Sequence, residues 1–81
     1  MWTDRLRLAE SLETAWLAFA PHERVEIRAA LEVIDEDPII GAPLFEPLRG
    51  YWSYRAGHIR ILYKIASEGR FVIVLHIGRA A

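Results

Sequence analysis

The sequence predicts an α+β domain ordered β-α-α-β-β-β, with a helical hairpin packed on one face of a small, mainly antiparallel sheet. Three observations predict it. The chain opens on Asp4-Arg5-Leu6-Arg7-Leu8, whose polar and apolar residues alternate with the period of a half-buried strand. Its middle carries two apolar stripes at helical spacing. Its C-terminal third holds three runs rich in β-branched and aromatic residues, separated by turn formers.

In the first stripe Leu12, Ala15, Trp16 and Phe19 fall at i, i+3, i+4 and i+7, with Ser11 available as a cap. Pro21 breaks that helix and suits the first turn of the next. There Ile27, Ala30, Leu31 and Ile34 repeat the spacing, while Glu23, Arg24, Glu26, Arg28 and Glu32 are expected to face water. Asp35-Glu36-Asp37-Pro38 ends the second helix. Segment 39–47, with Gly41, Pro43 and Pro47, reads as a loop. Three strands follow as a meander over about 52–56, 59–65 and 71–77, turning at Ala56-Gly57-His58 and at Ser67-Glu68-Gly69-Arg70.

Strand parity sorts these residues by face. Ile59, Ile61, Tyr63 and Ile65 share the face expected to meet the helices, which turns Arg60, Leu62 and Lys64 outward. In the last strand, strict alternation places Phe71, Ile73, Leu75 and Ile77 on one face and Val72, Val74 and His76 on the other. The outer face is therefore expected to be basic at its rim and apolar at its centre, around Leu62, Val72 and Val74, and to be covered by a partner.

With 81 residues the chain is read as one domain, 1–81, near the lower size at which a core suffices alone. It has no cysteine, so no disulfide contributes, and a reducing compartment is expected. No run approaches the ~18 apolar residues that span a bilayer, and Met1-Trp2-Thr3-Asp4 is followed by charged residues rather than an apolar signal core. A cytoplasmic protein with no membrane partner is the expectation. The net charge of −1 conceals an asymmetry: residues 1–41 carry four basic and nine acidic groups, and residues 42–81 carry six basic groups against Glu46 and Glu68. The positive charge thus gathers on the strand-rich half, where a polyanion could be held.

Two arginines, Arg55 and Arg60, flank the first hairpin turn, and paired guanidinium groups suit a phosphate through their always charged, forked donors. The order of elements, together with Leu48-Arg49-Gly50-Tyr51-Trp52-Ser53-Tyr54-Arg55-Ala56-Gly57-His58-Ile59-Arg60-Ile61-Leu62-Tyr63, resembles the RelE/ParE family of bacterial toxins. The Glu36-Asp37-Pro38 helix end and the strand Val72-Ile73-Val74-Leu75-His76-Ile77-Gly78 fit the same family. The resemblance implies the toxin half of a type II toxin–antitoxin pair, with a cognate antitoxin on the outer sheet face. RelE-like members cut messenger RNA on the ribosome, whereas ParE-like members inhibit DNA gyrase without chemistry; a third possibility is an inactive relative that only binds its antitoxin. Two lysines of some RelE members fall at Tyr51 and Ser53, and Arg79-Ala80 stands where many members have His-Arg.

The leading expectation is the ribosome-dependent endoribonuclease. Arg60 and Arg55 would hold the scissile phosphate, and Glu46 or His58 would move the proton that an arginine cannot. His76 is a weaker candidate for that role, and Arg49, Lys64 and Arg79 would bind the RNA backbone. Trp52, Tyr54 and Tyr63 could stack on bases but suit the core better. Asp35-Glu36-Asp37 are consecutive on a helix and do not converge as metal ligands. No glycine-rich phosphate loop, zinc spacing or nucleophile triad is present, so neither metal nor cofactor is expected.

Overall fold

The computed structural model describes residues 5–80, so Asp4 and Ala81 of the segments above lie outside the described residues. Strand β1 (Leu6–Leu8) leads into a short helix α1 (Glu10–Ala15), a 3-10 turn over Trp16–Ala18 and the long helix α2 (Pro21–Glu36). A second 3-10 turn (Pro38–Ile40) precedes β2 (Ala42–Pro43), and β3 (Tyr51–Ala56), β4 (Ile59–Ala66) and β5 (Phe71–Arg79) follow. The sheet order is β1-β5-β4-β3-β2, with β1 parallel to β5 and every other pair antiparallel. The expected order of elements is present. One strand is additional: β2, a two-residue edge strand within the segment read as a loop.

The first apolar stripe is there, on a shorter helix. Leu12 and Phe19 are buried, but α1 stops at Ala15 and the chain tightens into the 3-10 turn, where the Phe19 N–H donates to the Trp16 carbonyl at 3.2 Å. Pro21 forces the preceding Ala20 into extended backbone, which ends any continuous helix. Ser11 lies inside α1, and Ala9 holds the cap position without a side-chain bond. In α2 the predicted stripe of Ile27, Ala30, Leu31 and Ile34 is buried against the sheet. Glu23, expected to face water, is instead 5% exposed.

The parity of β5 departs from strict alternation. Val72 and Val74 are fully buried with Ile59, Ile61 and Tyr63 under the helices, not exposed on the outer face. The cause is an irregularity in the β4–β5 register: Leu62 faces His76 and Tyr63 faces Val74, so Leu75 has no cross-strand partner. One extra residue inverts the alternation, which lets Val72, Val74 and Ile77 all enter the core while His76 turns outward. The half-buried apolar residues of the outer face are therefore Leu62, Ile73 and Phe71.

Tyr63 fastens the β2 approach to the sheet. Its buried hydroxyl donates to the Pro38 carbonyl at 2.6 Å and accepts from the Gly41 N–H at 3.2 Å, and burial pushes its pKa up. A Cβ at position 41 would lie 2.7 Å from both that oxygen and the Ser53 carbonyl, so only glycine allows this approach.

Candidate functional site

None of the five strands contains an aspartate or glutamate; the acidic side chains of the described residues sit on helices and connections. The two layers therefore differ in sign. On the outer face of the sheet the register gathers Arg7, Arg55, Arg60, Lys64 and His76. The face opposite the helices is thus a cationic surface with an apolar middle.

Arg55 and Arg60 are direct cross-strand partners, and both are exposed. The hairpin that places them turns over Gly57-His58, with Gly57 at φ +60° in the first central position, which glycine takes without strain. Arg55 is braced by a 3.0 Å bond from Nε to the Gly57 carbonyl, a bond that does not use its two terminal nitrogens. Among the described residues no hydrogen bond or ion pair holds the Arg60 guanidinium. Like charges directly opposite each other in a sheet repel, so this pair costs stability unless an anion lies between them. Lys64, two positions further along the same face of β4, has its ammonium 5.9 Å from the Tyr51 ring centroid.

The other sequence candidates are placed elsewhere. Glu46 and Arg49 form an exposed pair at 3.6 Å in the connection before β3, at the Tyr51 end of the strand rather than the Arg55 end. His58 points toward α2, where its Nε2 lies 3.1 Å from Glu23 and its Nδ1 3.8 Å from Glu26. Arg79 also turns to the helical side: its Nε and a terminal nitrogen reach the two carboxylate oxygens of Glu23 at 2.7 and 2.8 Å, and its guanidinium stands 4.9 Å from the Phe19 ring centroid. Glu23 further accepts the Ala20 N–H at 2.8 Å, closing the first turn of α2. The Arg79 guanidinium first, then the Ala20 N–H and His58, hold the Glu23 carboxyl far below the usual carboxylate range. Arg55 and Arg60 thus share a site, with Lys64 on the same face; Glu46, Arg49, His58 and Arg79 stand outside it.

One further sequence candidate stands beside the arginine pair, on the outer face where alternation placed it although Val72 and Val74 do not join it there. His76 is exposed on the outer face, and its Nε2 lies 2.8 Å from where a Cβ on Gly78 would be. Gly78 is the partner of Arg60 across β4–β5. The imidazole therefore leans over the glycine that faces Arg60. An open groove of about 460 Å³ lies on the opposite side of the molecule, bordered by Leu12, Trp16, Arg28 and Ile77, away from these cations. Among the described residues no group of three carboxylates or histidines is placed to hold a metal ion, and no helix is long and apolar enough to cross a membrane.

Two helices on a mixed five-stranded sheet match the RelE-like toxin folds. The toxin–antitoxin complex RelBE2 from Mycobacterium tuberculosis superposes with a TM-score of 0.83 at 23% identity, over 93% of this chain and 95% of that one. The isolated E. coli RelE toxin gives 0.78 at 20% identity over 98% and 86%, and a YoeB/ParE toxin from Agrobacterium tumefaciens gives 0.75 at 19% over 95% and 99%. The family model described as the ParE toxin of the type II toxin–antitoxin system, parDE, matches residues 3–81. The chain belongs to that family: it is a toxin of the RelE/ParE type from a type II toxin–antitoxin system. No curated protein matches the sequence.

Proposed function

We propose that this toxin is a metal-independent, ribosome-dependent endoribonuclease that cuts messenger RNA in the cytoplasm. The observation that carries the reading is the in-register pair Arg55 and Arg60, exposed on a sheet whose described strands hold no carboxylate. In RNA cleavage through the 2′-hydroxyl, negative charge develops on the phosphate, and guanidinium groups on directly opposed strand positions suit its stabilisation. Lys64 extends the charge along the strand for the adjoining backbone, and the ribosome supplies the alignment of the message. An antitoxin covering Leu62, Ile73 and the cations around them would silence the same surface; similar folds are found with antitoxins, in the E. coli RelBE and the Pyrococcus horikoshii RelE-RelB complexes.

A second reading, inhibition of DNA gyrase without chemistry, is favoured by the family model itself, which describes ParE. One pair of assays separates the two. Added to a cell-free translation reaction, the protein is expected to produce codon-phased cuts in the message and to leave gyrase supercoiling unchanged. Intact message with inhibited supercoiling would establish the gyrase reading instead.

A further inference from the structure

We propose that His76 is the proton-transfer residue of this site, an assignment that rests on the ribonuclease reading. Across β3, β4 and β5 the register aligns Arg55, Arg60 and Gly78 in one row on the outer face. The third place of that row has no side chain of its own, and the His76 ring occupies it, with Nε2 2.8 Å from the position a Cβ on Gly78 would take. Directly opposed residues in a sheet stand roughly 5 Å apart at Cβ. The imidazole and the Arg60 guanidinium can therefore touch the same phosphodiester, one at the 2′-hydroxyl and the other at a phosphate oxygen.

The chemistry requires a group the arginines cannot provide, because a guanidinium does not give up its proton. Of the three histidines, His58 is engaged by Glu23 and Glu26, and His22 is exposed at the start of α2. Among the described residues, no hydrogen bond or ion pair holds the His76 ring. The charged groups on its face of the sheet are Arg60 diagonally across on β4, Arg55 on β3, Lys64 beside the Tyr51 ring and Arg7 over the Phe71 ring; among the described strand residues no carboxylate shares this face. The Leu75 irregularity is what delivers it: without the extra residue, His76 and Val74 would alternate onto the same side. Nε2 takes the proton of the 2′-hydroxyl as that oxygen bonds to phosphorus. The bond from phosphorus to the 5′-oxygen breaks, and the leaving oxygen takes a proton from solvent water. The products are a 2′,3′-cyclic phosphate and a 5′-hydroxyl end.

The test is single-turnover cleavage of a ribosome-bound message by the wild-type chain, His76→Ala, Gly78→Ala and His22→Ala. His76→Ala is expected to cut at least ~100-fold more slowly, as general base catalysis is worth, with the ribosome concentration for half-maximal cutting unchanged. Added imidazole is expected to restore part of its rate, which a merely structural role would not allow. Gly78→Ala, which keeps the histidine but displaces its ring, is expected to slow cutting as well, and His22→Ala to leave it intact. Because His76 is exposed, its removal should leave the melting temperature unchanged. Wild-type cutting accompanied by near wild-type cutting in His76→Ala overturns the assignment alone. Absence of cutting by the wild-type chain overturns the ribonuclease reading and the assignment with it.

Discussion

Replacing Tyr63 by Phe removes one oxygen and leaves the carbon packing intact, including the stack on Trp52 at 6.5 Å between ring centroids. Two hydrogen bonds go with that oxygen, one to the Pro38 carbonyl and one from the Gly41 N–H. Each is worth about 1 kcal/mol net. Pro38 and Gly41 are only half-buried, so water can reach the groups left behind and the full penalty for stranded polar atoms is not added. The sum is about 2 kcal/mol, which for a domain of this size lowers the melting temperature by about 8–16 °C. Thermal unfolding followed by circular dichroism reads this directly. Well below the transition, Tyr63→Phe should keep the outer-face activity, since the hydroxyl lies on the helical side. A fall of less than about 3 °C, below what one net hydrogen bond contributes, would refute the view that this hydroxyl fastens residues 38–41 to the sheet.

The Glu23 cluster carries a pH dependence. The carboxyl is held below its ordinary value of about 4.5 in the folded chain, so its contribution to stability is present above that value and disappears as pH falls beneath it. Denaturant midpoints from about pH 7 to about pH 3 should therefore drop for the wild type, while Glu23→Gln, weaker at neutral pH, shows a flatter decline. Parallel curves for the two proteins would contradict this. Glu68 sits in left-handed backbone, φ 55° and ψ 41°, in the β4–β5 turn. Glu68→Gly should stabilise by about 0.5–1 kcal/mol, seen as a higher melting temperature, because only glycine adopts that geometry without strain; a lower one would count against it.

Both helical stripes and four of the five strands were legible because burial enforces a period, 3.6 in α2 and 2 in β4. The failures come from features that carry no period. A single unpaired residue, Leu75, inverts the faces of β5, and nothing in Val72-Ile73-Val74-Leu75-His76 marks which residue is extra. Glu23 reads as a solvent-facing helix residue until Arg79, fifty-six positions away, is brought to it. Its bond to the Ala20 N–H in the first turn of α2 is likewise a role the water-facing reading missed. The site was partly legible for the converse reason. Arg55 and Arg60 lie close in sequence, so a two-residue turn fixes their relation, whereas His76 reaches them only through the β4–β5 register.

The central claim is that the Arg55–Arg60 pair holds the phosphate at which the message is cut. Its most direct test is the rate of message cleavage on the ribosome by Arg60→Ala beside the wild type. Losing one charged contact to the transition state costs on the order of 2–3 kcal/mol, so the account predicts cuts at the same codon positions formed roughly 30- to 150-fold more slowly. Cleavage by Arg60→Ala at the wild-type rate would contradict it.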